Sequence, residues 1–490
     1  MTRRRQTAAL AIAALLSMAH VGSPDTFFTG KAGPYDVRVS VRLPGVIPGR
    51  AQVAVRVVGA ASPDQHQVAV RAGQWNVGLK GAPPPEPATP VPGDPALYAA
   101  ELWLMTPSSY QLAVDVNGPA GSGTAIVPVL ALATAQRAMP PWLGAVLAAL
   151  GLFLSVGFLT IIGTAVRESV LPPGAEPDAR RRRRARWGMA GTAIGVALIL
   201  WGGNVWWAAE AGAYGEFVLY RPFATETAIA RRDDRQVLSL GIRDNRWTGT
   251  PVPASRYNAL LPDHGKLMHL FLVRDGSLDA FAHLHPVARS AEALDFDVDV
   301  PPLPAGRYRV YGDIVHESGY AQTLVSTVDV GESGNAAPAD PDDSWFIGSA
   351  QAESSTAVLA LPDGSQLAWL RGDGPISASE EHVLAFEVRD TTGAVTTVEP
   401  YMGMAAHVAV ADAEGSVFVH LHPAGSISMA ALQKFAGEPT PAGHANHLSS
   451  LEGRLAIPYA FPKAGKYRLW VQIKRSARVM TGAFDLDVGE

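Results

Sequence analysis

The sequence predicts a mainly β protein: three immunoglobulin-like or cupredoxin-like β-sandwich domains, a transmembrane helical hairpin and an N-terminal signal segment. Three observations carry that expectation. The 490 residues include 48 glycines and 38 prolines, the punctuation of many short strands joined by tight turns. Hydrophobic residues make up 48% and charged ones only 17%, against about 25% in an ordinary soluble chain, so membrane segments are expected. The C-terminal half repeats itself, which implies a duplicated unit.

Residues 1–23 read as a signal peptide or signal anchor. Arg3-Arg4-Arg5 precede the short apolar run Ala8–Ala19, and Ser17 and Ala19 suit a cleavage site. Cleavage after Ala19 would leave His20 as an N-terminal residue whose amine and imidazole can chelate copper. Residues 24–138 alternate apolar and polar side chains, as in Tyr35–Val41 and Gln52–Val57, the period of a strand. They predict a first extracytoplasmic sandwich. Its single histidine, His66, sits in a polar segment without evident chemistry.

Trp142–Val166 and Met189–Ala209 carry no charge and are long enough to span a bilayer. They predict transmembrane helices over 140–167 and 188–209. Between them, 168–187 holds Arg180-Arg181-Arg182-Arg183-Arg184 and Arg186. The positive-inside rule makes this a cytoplasmic loop, and contact with anionic lipid is a second reading of the same run. An exported N-terminus with one span in and one span out leaves both large flanking parts outside. The expected location is the bacterial cytoplasmic (inner) membrane, multi-pass, with the bilayer itself as a partner.

Residues 215–331 and 345–490, joined by a polar linker over 332–344, repeat one another. Leu238–Asp244 answers to Leu384–Asp390, His283-Leu284-His285-Pro286 to His420-Leu421-His422-Pro423, and Ala305–Tyr311 to Ala464–Trp470. The second copy has about 22 extra residues before its last motif. They carry a short helical stretch, Ser428–Phe435, and the loop histidines His444 and His447. The Gly-Tyr-Arg motifs read as structural, a turn glycine feeding a strand with a packed aromatic.

In each repeat a lone histidine precedes the His-x-His pair: His269 before His283 and His285, His407 before His420 and His422. Turn residues lie between, so each segment reads as a β-hairpin. A three-residue loop 275–277 places His269 opposite His283. A two-residue loop 413–414 places His407 opposite His420. Opposed residues share a face, and residues two apart share it too, so three imidazoles cluster in each repeat. A one-residue slip would break the cluster. Three neutral imidazoles are a ready site for copper, with zinc as the alternative. His264 and Met402, each five residues before the lone histidine, are added candidates, and a thioether shifts preference towards copper. Met404 and Met429 lie near in sequence, and His316 and Glu317 have no ligand counterpart in the second repeat. The two sites are therefore expected to be unequal.

Cysteine is absent, which excludes disulfides, thiolate metal sites and cysteine nucleophiles. A net charge of −5, without a long basic stretch outside one loop, argues against nucleic acid. No Ser-His-Asp order, phosphate loop or paired-carboxylate motif points to an enzyme. The expectation is a membrane-anchored extracytoplasmic metal-binding protein for copper sequestration, sensing or delivery. The competing expectations are an adhesion or assembly module that binds another envelope protein while its histidines merely pack, and a metalloenzyme with an open three-histidine site.

The strand pattern of the first domain and the Pro140-Pro141 entry into a span resemble the FixH/YtkA-like domains of bacterial membrane proteins. Pro400-Tyr401-Met402-Gly403-Met404-Ala405-Ala406-His407 and Val419-His420-Leu421-His422-Pro423 resemble an H…H-x-HP pattern of exported β-sandwich proteins linked to heavy-metal and copper handling. The resemblance implies a sandwich fold, an exported location and metal as the ligand. The first repeat departs from it, with Asp263-His264-Gly265-Lys266 where the methionine stretch stands in the second. The order of sandwich, span, span and sandwich is also similar to the copper subunit of particulate methane monooxygenase, in architecture only.

Overall fold

A computed structural model describes residues 20–21, 25–172, 174–244, 260–290, 294–332, 340–351, 353–354, 356–436 and 451–490. The expected signal segment, apart from the His20–Val21 backbone, and the loop histidines His444 and His447 lie outside the described residues. The chain is mainly β, with 48% of it in strands. It divides into two units, one comprising residues 133–220 and the other the rest.

The smaller unit holds two long helices, α1 (Pro141–Glu168) and α2 (Ala179–Phe217), both long and apolar enough to cross a membrane. Most of their large apolar side chains are exposed, including Trp201, Trp206 and Trp207, as lipid-facing helices require. They approach closely at Gly163, where an added Cβ would lie 2.5 Å from Met189 Sδ; small residues permit such helix contacts. One expectation is corrected here. The arginine run is not loop: Asp178 caps α2 by accepting from the Arg181 amide at 2.7 Å, so Arg180–Arg184 form its first turns. Cations at a helix N-terminus oppose the macrodipole, so the run is not placed there to stabilise the helix.

In the larger unit, residues 26–131 form one eight-stranded sheet. Its order is Thr26–Ala32, Tyr35–Arg42, Gly49–Val57, Asp94–Leu104, Glu86–Val91, Gln67–Gln74, Ser108–Gly118 and Gly121–Ala131. Tyr35, Val37, Val39 and Val41 are buried in turn, the alternation the sequence shows. His66 packs edge-on against Tyr35, with ring centroids 5.0 Å apart. The first strand docks on the second repeat: Phe27 N–H donates to Ser426 Oγ at 3.0 Å, and Thr29 N–H to the Ala424 carbonyl at 2.9 Å. Gly425 allows the approach, since a Cβ there would lie 2.0 Å from the Phe27 carbonyl oxygen.

Each repeat is a pair of sheets over its own core. In the first, a four-stranded sheet packs on a five-stranded one containing β1 (His269–Arg274), β2 (Ala280–Leu284) and β3 (Gly306–Val315). In the second, the corresponding strands are β4 (His407–Asp412), β5 (Val417–Leu421) and β6 (Gly465–Arg475). α3 (Met429–Ala436) is the short helix expected from the insertion. The edge of β2 is paired by Ser344–Ile347, a segment that follows the linker yet lies on the first repeat's sheet. The edge of β5 is paired by the backbone of His20–Val21.

The two five-stranded sheets are buried on both faces. Leu270, Leu272, Ala280, Ala282 and Leu284 face the first repeat's core, and Val408, Val410, Val417, Val419 and Leu421 the second's. The alternate residues meet each other, in a core made by Phe271, Val273, Phe281, Tyr311, Ala409, Ala411, Phe418, Trp470 and Ala483. This interface has pseudo-two-fold symmetry. Phe281 stacks on Trp470 at 4.8 Å and 11°, and the equivalent Phe418 stacks on Tyr311 at 4.1 Å and 4°. Arg309 donates to the Ala413 carbonyl at 3.4 Å, and the equivalent Arg468 to the Leu278 carbonyl at 2.8 Å. Both interactions tie each sheet to the other's hairpin loop.

Trp470 has no exposed surface, and deleting a buried tryptophan costs about 3–5 kcal/mol. Trp470→Ala is therefore expected to lower the unfolding free energy of the detergent-solubilised chain, read by urea denaturation, by that amount. A loss under about 0.5 kcal/mol, the scale of an ordinary surface change, would contradict the stacked interface.

Candidate metal centre

The histidines lie on the face where the repeats meet. β1 pairs Leu270 with Leu284 and Phe271 with His283, and β4 pairs Val408 with Leu421 and Ala409 with His420. Both hairpins thus sit two residues away from the expected register, in which His269 opposed His283 and His407 opposed His420. The turns take up the difference. In the first, Leu278 adopts a φ of +55° in the loop, donates its N–H to the Arg274 carbonyl at 3.2 Å as a turn bond and buries its side chain at the inter-repeat core. An even slip preserves the face of every side chain, so the imidazoles still converge.

They converge on one place. His264, His269, His283, His285, His407, His420 and His422 form a continuous cluster of rings. His269 is 5.1 Å from His285 and 5.4 Å from His420, His283 is 5.4 Å from His420, and His264 is 5.1 Å from both His407 and His422. The sheets pack face to face, so each repeat's cluster lies against the other's. Among the described residues two groups of ring nitrogens are metal-compatible, His269/His283/His285 and His264/His407/His422, and a third joins His285 to Asp340 and Asp343, the ligand atoms of each group lying within 4.8 Å of one another. His269, His283 and His407 are at most 1% exposed.

His264 reaches the cluster from a tight turn. Asp263 and Lys266 bond reciprocally through their backbones, and His264 and Gly265 have φ of +52° and +82°, the pattern of a type I′ turn. Tyr401 and Met404 bond the same way around Met402 and Gly403, at +50° and +81°. The first carbonyl of each turn orients the lone histidine: Nε2 of His269 is 3.1 Å from the Asp263 oxygen, and Nε2 of His407 is 3.1 Å from the Tyr401 oxygen.

Proton bookkeeping follows. A carbonyl only accepts, so Nε2 of His269 and of His407 carries the hydrogen and Nδ1 is a bare lone pair. Nδ1 of His283 lies 2.9 Å from Gln472 Oε1, an acceptor, and Gln472 in turn donates its amide to Ser344 Oγ. Nε2 of His283 is then bare, and it stands 3.1 Å from the bare Nδ1 of His269. In the second repeat, Nδ1 of His420 faces Asp313 at 3.5 Å, while its Nε2 stands 2.9 Å from the bare Nδ1 of His407. Asp343 accepts from His285 Nδ1 at 2.9 Å, and Nε2 of His285 has no hydrogen-bond partner. His422 leaves both ring nitrogens outside good hydrogen-bond geometry, with the Ile427 backbone as a weak acceptor.

Burial first, and the neighbouring imidazoles second, hold His269, His283, His407 and His422 well below the ordinary value of 6.5. These four rings are thus neutral imidazoles, the form that ligates metal. Asp313, Gln472, Asp343 and Ser344 are site residues that sequence reasoning missed. The first two are signalled only by register, since each pairs with a lone histidine across the sheet, Asp313 with His269 and Gln472 with His407.

Other candidates fall elsewhere. Met404 and Met429 pack together beside Ala424. His316 bonds Ser318 Oγ at 3.0 Å, and among the described residues neither it nor Glu317 joins a metal-compatible group. Met402 is half-buried in the turn opposite His264.

Residues 236–332 and 360–490 match a family described as a domain of unknown function, DUF8832. The matched residues include all seven histidines of the cluster. No curated protein matches the chain. Among solved structures, the chain is similar to a tetra-tandem repeat in the extending region of a large adhesion protein, with 9% identity, 91% of this chain and 72% of that chain covered, and a TM-score of 0.16. It is also similar to the FN1–FN3 domains of chicken CNTN1, with 8% identity, 92% and 97% covered, and a TM-score of 0.14. Likenesses at these TM-scores carry no weight for fold or function.

The depressed histidines fix the sign of a pH effect. An unfolded chain takes up protons near 6.5, while the folded one resists until lower pH, so stability is full above 6.5 and lost as pH falls from there. Each such histidine removes about 1.4 kcal/mol per pH unit over that window. Denaturation of the metal-free protein at several pH values between 5 and 8 is expected to show a flat midpoint at the alkaline end and a steep fall below 6.5. A midpoint constant across the range would mean that the rings are not buried.

Proposed function

We propose that this protein is a membrane-anchored, extracytoplasmic copper-binding protein whose seven-histidine centre holds the metal for sequestration, sensing or delivery. One observation carries the reading: bare nitrogens of His269 and His283 face one another in a dry interior at 3.1 Å, and the second repeat brings His407 Nδ1 and His420 Nε2 to 2.9 Å. Facing lone pairs repel unless a cation lies between them. Two nitrogens bonded to one ion at about 2.0–2.1 Å stand roughly 3 Å apart. Packing histidines would instead direct both nitrogens to protein groups.

The donor set favours copper. Neutral imidazoles with no thiolate suit copper and zinc, copper binds more tightly to such ligands across the divalent series, and a nearby thioether suits the cuprous state. The carbonyl, carboxamide and carboxylate partners of the rings fix tautomer and orientation, as outer partners of metal ligands do. Deep burial slows exchange, which fits holding copper better than rapid hand-off. The apolar helices supply the anchor, and the absence of cysteine suits an oxidising compartment.

Purified full-length protein, titrated with copper against a competing chelator, is expected to take up copper, and His269→Ala/His407→Ala to weaken uptake by at least about 100-fold, the upper range for disturbing a metal site's surroundings. Equal and negligible uptake by both proteins would remove the metal reading. Gln472→Leu keeps every ligand but frees the His283 ring, and is expected to lower affinity about 10–100-fold. Unchanged affinity there would show that His283 is not a ligand.

A further inference from the structure

We infer that the cluster is a two-ion centre, holding a pair of cuprous ions, in which the two repeats exchange ligands across their pseudo-two-fold interface. The inference rests on the metal-binding reading above and goes beyond it in number, valence and ligand assignment. Two facing pairs exist, not one. Nδ1 of His269 turns on His283 and Nδ1 of His407 turns on His420, while the two lone rings themselves stand 6.4 Å apart. The two three-nitrogen groups share no residue.

The exchange is visible in which chain segment serves which group. His264, from the first repeat's turn, completes the group of His407 and His422 in the second. The orienting groups cross over as well: Gln472 of the second repeat holds His283 of the first, and its sheet equivalent Asp313 of the first faces His420 of the second. Met402 holds the position in the second repeat's turn that His264 holds in the first.

Charge selects the valence. Two carboxylates touch the ligand rings, Asp343 on His285 and Asp313 on His420, while Asp340 is engaged by Lys266. Two monovalent ions balance two carboxylates. Two divalent ions would leave a net positive charge in a centre closed to water, which is costly.

Anaerobic titration of the full-length, detergent-solubilised protein with Cu(I), read by bound copper per chain and by X-ray absorption, tests this. The wild type is expected to bind two equivalents and to show a copper–copper neighbour shell. His264→Asn, in a left-handed turn position that asparagine tolerates, is expected to unfold at the wild-type temperature without metal, to bind one equivalent and to lose that shell. A wild type that stops at one equivalent, or a His264→Asn chain that still takes two, overturns the paired centre while leaving copper binding intact. No uptake by the wild type overturns both.

Discussion

The packing of one repeat's hairpin against the other's is the constraint on which the centre depends. A β-strand has two faces, and β1, β2, β4 and β5 use both. One face of each fills its repeat's own core, and the other meets the partner sheet. Along that second face, aromatic and small apolar residues give way to histidines towards one end. Phe281 and Phe418 lie two residues before His283 and His420, and their stacking on Trp470 and Tyr311 presses the histidine-bearing ends together. Imidazoles are desolvated because the apolar half of the same face holds the sheets in contact.

Desolvation then decides the chemistry. Rings at a wet surface would bind water and protonate in mild acid. Here the low-dielectric interior and the crowding of neighbouring rings disfavour the imidazolium. In His269, His283 and His407 a protein acceptor holds the outer nitrogen, so the hydrogen points outward and the lone pair inward.

Much of this was legible from residue spacing. The duplication, the shared face of each lone histidine with its His-x-His pair, and the α3 helix all follow from periodicity and repeats. The register was off by two, and the face survived because only odd slips invert it. What spacing could not give was the partner of the second face. His269–Arg274 and Ala280–Leu284 are almost wholly buried, and such near-continuous apolar strands do signal burial on both sides. Nothing local says what covers the outer side, so spacing leaves open how the two clusters meet. Asp313 and Gln472 act across that unseen interface and were invisible for the same reason. The arginine run was misplaced because charge was read as topology alone, and the capping role of Asp178 was not weighed.

The pseudo-two-fold arrangement is that of a homodimer written on one chain. In a true homodimer each contact occurs twice and any substitution is felt at both ends of the axis. Covalent fusion lifts that restriction. His264 can differ from Met402, Asp313 from Gln472, and Phe271 from Ala409, each change altering one half only. A tandem gene can thus evolve two dissimilar halves of a single histidine pocket, a division of labour closed to a dimer of identical subunits.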